Sequence, residues 1–276
     1  MQNAGIANLA LDWRYLAFDV HPEALGEAIL GAQKMHFVGL NLTVPHKQLA
    51  FDLVDALDAS AGEWGAVNTI RFEGRVSGGE WKSLADPDSD SFEETRSVGF
   101  NTDADAIVRA CKGELGIDFV TAAALIVGVG GAGRVAALKL ASAGVKHLFI
   151  VNRTLEKAVS VREEILIRFP DCKVILGYPD KRVELLINGT SLGLKQGDPL
   201  PVDLDQFSLS KVGSVYDMVY QPAETPLLKE AKAAGCEVAN GLGMLVFQGA
   251  KALEIWAERE APVSVMRAAL EAHIYG

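Results

Sequence analysis

The sequence has little cysteine, little histidine and no surplus of positive charge. Its 276 residues hold three cysteines, Cys111, Cys172 and Cys236, odd in number and far apart. They exclude a disulfide framework and point to a reducing cytoplasm. The five histidines show no metal-ligand spacing, so no metal site is expected. Against 36 acidic residues stand 26 Lys and Arg, a net charge of −10, and no basic stripe offers itself to nucleic acid. No apolar run approaches the roughly 20 residues of a membrane span. Met1 leads into QNAGIANLALDWR, which has neither the basic start nor the cleavage pattern of a signal peptide. What is present, 49% hydrophobic and 22% charged residues, suits a soluble cytoplasmic protein. That composition supplies core enough for one large domain or two ordinary ones.

Hydrophobic periodicity divides the chain in two. Residues 2–11 read as helix, 13–20 (WRYLAFDV) as strand, Pro22 to about Met35 as helix and 36–43 as strand. A helix over 46–57, a shorter one over 59–64 and a strand in GAVNTIRF follow. This alternation implies parallel pairing with crossover helices. Residues 73–98 break it: polar, acidic and rich in Gly and Ser, they read as a long surface excursion. From Asn101 a helix runs to about Leu115. Then come short β-branched runs with the flanks of buried parallel strands, ALIVG (124–128), HLFIVN (147–152), KVILG (173–177), ELLING (184–189) and SVYDMVY (214–220). CEVAN (236–240) adds one more, and Leu242 to Tyr275 is largely helical.

The strand ALIV opens into Gly128-Val129-Gly130-Gly131-Ala132-Gly133 and a helix. This is G-x-G-x-x-G in the setting that a dinucleotide pyrophosphate requires, with backbone N–H groups at a helix N-terminus and no side chains in the way. An NAD site carries Asp or Glu about 20 residues further on. Here the next strand ends in Asn152-Arg153-Thr154, with Lys157 one turn later and no carboxylate at the strand end. A planar cation, a hydroxyl and a point charge suit a 2′-phosphate, so NADP is the expected cofactor.

A second stretch raises a question of its own. In GLNLTVPHKQ (39–48) an apolar strand meets a rigid Pro45, and Lys47 stands just behind it, at the start of an amphipathic run. Together with GAVNT (65–69), GFNTDADA (99–106), GVGGAGRVA (128–136), NRTLEK (152–157), NGTSLG (188–193), DMVYQPAETPLL (217–228) and NGLGMLVFQGA (240–250), this stretch resembles the shikimate dehydrogenase family over nearly the whole chain. The resemblance implies a Rossmann-type NADP domain over 104–242 and an α/β substrate domain with a mostly parallel sheet over 1–103. Helices over 243–276 would complete the substrate domain, with the site in the cleft between the two. It also implies the reversible reduction of 3-dehydroshikimate to shikimate, NADPH giving hydride to the C3 carbonyl.

Carried over position by position, the resemblance makes Lys47 and Asp103 the catalytic pair. Lys47 gives the proton and steadies the forming alkoxide, while Asp103 bonds both Lys47 and a substrate hydroxyl. Thr43, Asn68, Tyr220 and Gln248 complete the polar lining that a polyhydroxy acid needs. Gly128, Val129, Gly130, Gly131 and Ala132 cradle the pyrophosphate, and Asn152, Arg153, Thr154 and Lys157 take the adenosine end. Thr190, Met218 and Gly241 close over the nicotinamide. Partners are then a small-molecule substrate and, for a monomer or homodimer, at most a second copy. A quinate/shikimate dehydrogenase and a non-catalytic NADP-binding homologue are the alternatives. Two departures stand out. Family members open with a strand and an S-x-S-P-x-M-H-N loop whose serines hold the substrate carboxylate. Met1-Gln2-Asn3 falls where that loop ends. Either the coding start lies further upstream, which is the favoured expectation, or a fused or separate partner supplies the strand, or the site is weakened. These 276 residues are expected to handle shikimate poorly. The other is the excursion over 73–98, where the family has a tight hairpin.

Overall fold

The computed structural model describes residues 1–276. The chain forms two compact units, Met1–Asp103 with Gln248–His273, and Ala104–Phe247 with Ile274–Gly276.

The first unit begins with α1 (Gln2–Asn8), whose Ile6 packs among Ala250, Leu253 and Met266. A Pro22–Ala24 turn leads into α2 (Leu25–Lys34), which buries Leu25, Ile29, Ala32 and Gln33 along one stripe. Next come β1 (Gly39–Asn41), α3 (His46–Leu49), β2 (Ala56–Leu57), α4 (Ala59–Trp64), β3 (Thr69–Arg75), β4 (Lys82–Ser83) and β5 (Glu94–Phe100). The sheet runs β1-β3-β5-β2, with β4 also on β3. It is mixed, not mostly parallel as expected: β3 is antiparallel to β1, β4 and β5, and only β2 and β5 pair in parallel. Ile70 and Phe72 are fully buried in its core, each stabilising the fold by about 1.5–3 kcal/mol.

Three local expectations fail here for identifiable reasons. The helix over 46–57 stops at Leu49, continues as a tighter turn over Ala50–Asp52, and gives way to β2 beside Val98 and Gly99. The ends of the 73–98 excursion are the arms of a hairpin, β3 reaching Arg75 and β5 resuming at Glu94. A hairpin needs no crossover helix, so strand–helix alternation gives no sign of it. Its anchor is Glu73, whose side chain is 3% exposed and ion-paired with Arg71 and Arg96; Trp81 lies against the guanidinium groups of Arg75 and Arg96. Finally, residues 13–20 form no strand, because β1 pairs only with β3. The segment is held by a side chain instead: Asn3 donates to the Tyr15 carbonyl at 2.9 Å and accepts from the Tyr15 N–H at 2.8 Å.

The second unit follows α5 (Asp103–Leu115) with β6 (Ala123–Val127), α6 (Gly131–Ser142), β7 (His147–Val151), α7 (Leu155–Arg168), β8 (Lys173–Leu176), β9 (Val183–Asn188), β10 (Val212–Asp217), α8 (Pro226–Ala233) and β11 (Glu237–Asn240). Helices α9 (Leu242–Ala257) and α10 (Val263–Ile274) close the chain. Every strand pair in this sheet is parallel, and the order is β11-β10-β9-β6-β7-β8. Read from the other edge this is the third, second, first, fourth, fifth and sixth strand, the doubly wound order of a Rossmann fold. The strand order reverses between β6 and β9, which places the binding crevice at their carboxyl ends. Leu125, Leu186 and Val215, fully buried, form the centre of the core.

Candidate active site

In the first unit, β1 delivers the chain to Pro45, and α3 starts at once, so Lys47 sits in a first helical turn. Lys47 is fixed from two sides. Its carbonyl accepts from the Val67 N–H at 2.8 Å, and its ammonium donates to Asp103 Oδ2 at 2.7 Å. The two side chains are 29% and 25% exposed, so the pair is held yet reachable.

Asp103 is set by the turn ahead of α5. Its N–H donates to Asn101 Oδ1, and Asn101 Nδ2 donates to the Ala66 carbonyl. Asn68, 2% exposed, is the buried strut beneath: its Oδ1 accepts from the Thr102 N–H at 2.8 Å and its Nδ2 donates to Thr102 Oγ1 at 3.0 Å. Asn68 therefore positions the residue before Asp103, beyond the contact role expected of it. Thr43 is exposed in the turn before Pro45. Gln248 is the first residue of the part of α9 that groups with this unit.

Sequence reasoning missed two members of this cluster. Asn41 Nδ2 donates to Thr69 Oγ1 at 2.9 Å, and Tyr15 Oη donates to Asn41 Oδ1 at 3.0 Å. Burial pushes the Tyr15 phenol up from its ordinary value. The available sign was Asn41 itself, an amide inside a short apolar strand, where an unpaired polar group would be costly.

In the second unit the glycine loop joins β6 to α6. Gly128 has φ +88°, a conformation that favours glycine. A Cβ on Gly133 would stand 2.0 Å from the Gly128 carbonyl oxygen, backbone against backbone. At Gly130 and Gly131 an added Cβ would meet nothing within 4 Å, so there the bare backbone leaves room over the helix start. No side chain caps α6, which leaves its first N–H groups for an anion. Val129, nearly buried, donates its N–H to Asn152 Oδ1 at 3.0 Å, and Asn152 Nδ2 donates to the Thr154 carbonyl at 2.7 Å. Asn152 is thus the brace between the glycine loop and the next strand end.

Arg153, Thr154 and Lys157 are exposed beside that brace, neither cation has an ion-pair partner, and the Thr154 hydroxyl does not cap α7. Ala132 lies exposed in the first turn of α6. At the neighbouring strand ends are Thr190 and Met218, both half-buried. Gly241 lies so close to Met218 that a Cβ would meet its carbonyl oxygen at 2.1 Å. Tyr220, 39% exposed, follows two residues later, and its carbonyl accepts from Tyr275 Oη at 2.5 Å.

Known proteins match this arrangement from end to end. Family profiles match residues 1–70 (shikimate dehydrogenase substrate binding domain), 111–176 (shikimate / quinate 5-dehydrogenase) and 241–271 (shikimate 5'-dehydrogenase C-terminal domain). A shikimate dehydrogenase (NADP(+)) of Methanopyrus kandleri is 37% identical over 99% of this chain and 90% of its own. The chain belongs to the shikimate dehydrogenase family.

Among solved structures, a shikimate 5-dehydrogenase from Thermus thermophilus in complex with NADP(H) and shikimate superposes with a TM-score of 0.76 at 33% identity. That match covers 98% of this chain and 92% of the other. A ligand-free 5-ketofructose reductase from Gluconobacter gives 0.79 at 32% identity, covering 99% and 92%. The α/β architecture is that of both solved structures, and no helix is long and apolar enough to cross a membrane.

Proposed function

We propose that this chain reduces 3-dehydroshikimate reversibly to shikimate, with Lys47 as proton donor and NADP as cofactor. The observation that carries the mechanism is the 2.7 Å bond from Lys47 Nζ to Asp103 Oδ2. As hydride reaches a ketone, charge builds on its oxygen, and a positioned ammonium both neutralises that charge and gives up the proton. Asp103 keeps the ammonium aimed and accepts from a substrate hydroxyl. Asn68 holds the turn that carries Asp103, and it joins Thr43, Tyr220 and Gln248 in binding the remaining hydroxyls.

The residues of the second unit fit NADP. The uncapped start of α6 and the open backbone of Gly130 and Gly131 accept the pyrophosphate, with Gly128, Val129 and Ala132 completing the loop. Asn152 sets the strand end from which Arg153, Thr154 and Lys157 hold the 2′-phosphate. Thr190, Met218 and Gly241 form the wall at the nicotinamide end. When bound, NADPH supplies the hydride. The protein works in the cytoplasm as a monomer or homodimer; its three cysteines are free and buried.

The test is initial rates with shikimate and NADP⁺, then with NAD⁺, quinate and 5-ketofructose. Turnover of shikimate with NADP⁺ at the highest kcat/KM supports the reading. A preference for the uncharged ketose would reassign the substrate class, since the 5-ketofructose reductase is as similar in fold as the dehydrogenases are.

A further inference from the structure

The carboxyl ends of β9 and β10 carry a feature that packing does not require. Asn188 and Asp217 stand side by side in register, and with Thr225 they are all 0% exposed. Burying three polar groups in a sheet of Leu, Ile and Val is unfavourable unless each is paired. Here they are. Asp217 Oδ1 accepts from Asn188 Nδ2 at 2.8 Å and from the Val219 N–H at 3.0 Å, and its Oδ2 accepts from Thr225 Oγ1 at 2.6 Å. Asn188 Oδ1 accepts from the Thr190 N–H at 3.0 Å and Thr190 Oγ1 at 2.7 Å. Asn188 Nδ2 also reaches the Leu192 carbonyl at 3.2 Å, and the Asn188 carbonyl accepts from the Met218 N–H at 3.1 Å.

Apart from the Asn188–Asp217 bond itself, every bond in the set ends on one of two short loops, 189–192 or 218–225, and the carboxylate at the centre joins them. Three donors converge on it, the arrangement an anion takes. Burial raises its pKa and the three donors lower it, with burial prevailing. The loops so joined carry Thr190 and Met218, which the proposed function assigns to the nicotinamide end. We propose that Asp217, acting through Asn188 and Thr225, is a positioning residue that fixes the nicotinamide wall for hydride transfer. This rests on the cofactor assignment above. Its warrant is distance: a reacting carbon misplaced by about 1 Å can lose about 10²-fold in rate, and apolar residues would hold the strands together without setting two loops against each other.

The experiment uses Asp217→Asn, Thr225→Val and the conservative Thr225→Ser, with melting curves to confirm that each folds. Two measurements are made. The first is emission of bound NADPH alongside the affinity for adenosine 2′,5′-bisphosphate, which has no nicotinamide. The second is kcat and its primary isotope effect for shikimate deuterated at the carbon that is oxidised. Asp217→Asn and Thr225→Val are expected to diminish the emission change of bound NADPH and leave the bisphosphate affinity within about threefold. They should lower kcat about 10- to 100-fold and raise the isotope effect as hydride transfer becomes limiting. Thr225→Ser, which keeps the hydroxyl, should behave as wild type. Equal losses for NADPH and the bisphosphate, or a lower kcat with an unchanged isotope effect, would overturn the proposal in favour of a structural role. If wild type fails to oxidise shikimate, the substrate reading falls, and the NADPH measurement still decides the role of Asp217.

Discussion

Replacing Lys47 with alanine tests the mechanism at its centre. The ammonium is held 2.7 Å from Asp103, so its geometry is set before substrate arrives. A positioned acid of this kind contributes about 10²–10⁴ in rate, which at about 1.36 kcal/mol per tenfold is roughly 2.7–5.5 kcal/mol of barrier. The loss to folding is much smaller. Both side chains are about a quarter exposed, so water can solvate the stranded carboxylate, and a part-exposed pair contributes up to about 1 kcal/mol. Cofactor affinity should stay within about twofold, since the glycine loop and Arg153 lie in the other unit. Lys47→Arg separates two roles. Arginine keeps the charge and surrenders no proton near neutral pH, so it should fall almost as far as alanine. The assay is NADPH absorbance in both reaction directions, with calorimetry for NADP⁺. If Lys47→Ala keeps more than about a tenth of wild-type kcat, Lys47 is not the proton donor. If Lys47→Arg keeps most of it, the lysine acts by charge alone.

Three further outcomes are expected. Arg153→Ala should weaken NADP⁺ about 10- to 100-fold and leave NAD⁺ nearly unchanged, because only the 2′-phosphate uses the cation; calorimetry with both nucleotides decides, and equal losses would refute the assignment. Gly133→Ala would put a Cβ 2.0 Å from the Gly128 carbonyl oxygen, so it should abolish NADP⁺ binding and lower the melting temperature, and a variant that binds normally would show that the loop can shift. Glu73→Ala leaves Arg71 and Arg96 without their shared carboxylate, although both are part-exposed and Arg71 keeps Glu258. The loss should cost about 1.5–3 kcal/mol in denaturant unfolding while the folded enzyme keeps its kcat; a change below about 1 kcal/mol would mean that water replaces it.

The second unit was the more legible in sequence. Most of its parallel strands contain short apolar runs bounded by turn residues, so period and length gave their places to within three residues, the widest miss being the end of β10, read at Tyr220 and found at Asp217. The first unit was harder because its sheet is mixed. β2 is two residues long and starts where an amphipathic pattern was still running. β3 holds Arg71 and Glu73 among fully buried Ile70 and Phe72, so its extension depends on an ion pair with Arg96 from another strand. Residues 13–20 have strand composition and form no strand, because a ladder needs a neighbour and composition does not report one.

A similar division runs through the candidate site. Lys47 and Arg153 face a ligand in the proposed function, and Gly133 and Gly241 face another backbone, so their identity follows from local chemistry that a short motif can carry. Asn188, Asp217 and Thr225 face one another and Asn41 faces Tyr15 and Thr69, so their identity follows from partners 8 to 29 residues away. Asp217 opens the stretch DMVYQPAETPLL, yet nothing in that stretch shows that its carboxylate is bonded to Asn188 and Thr225. Asn152 shows how the two kinds meet, since it sits inside the motif NRT yet directs its amide to Val129 and Thr154. A motif residue is therefore as apt to hold the site in shape as to touch what binds there. Exposure separates the two kinds here: Arg153 and Lys157 are exposed and unpaired, whereas Asn188 and Asp217 are buried and fully bonded.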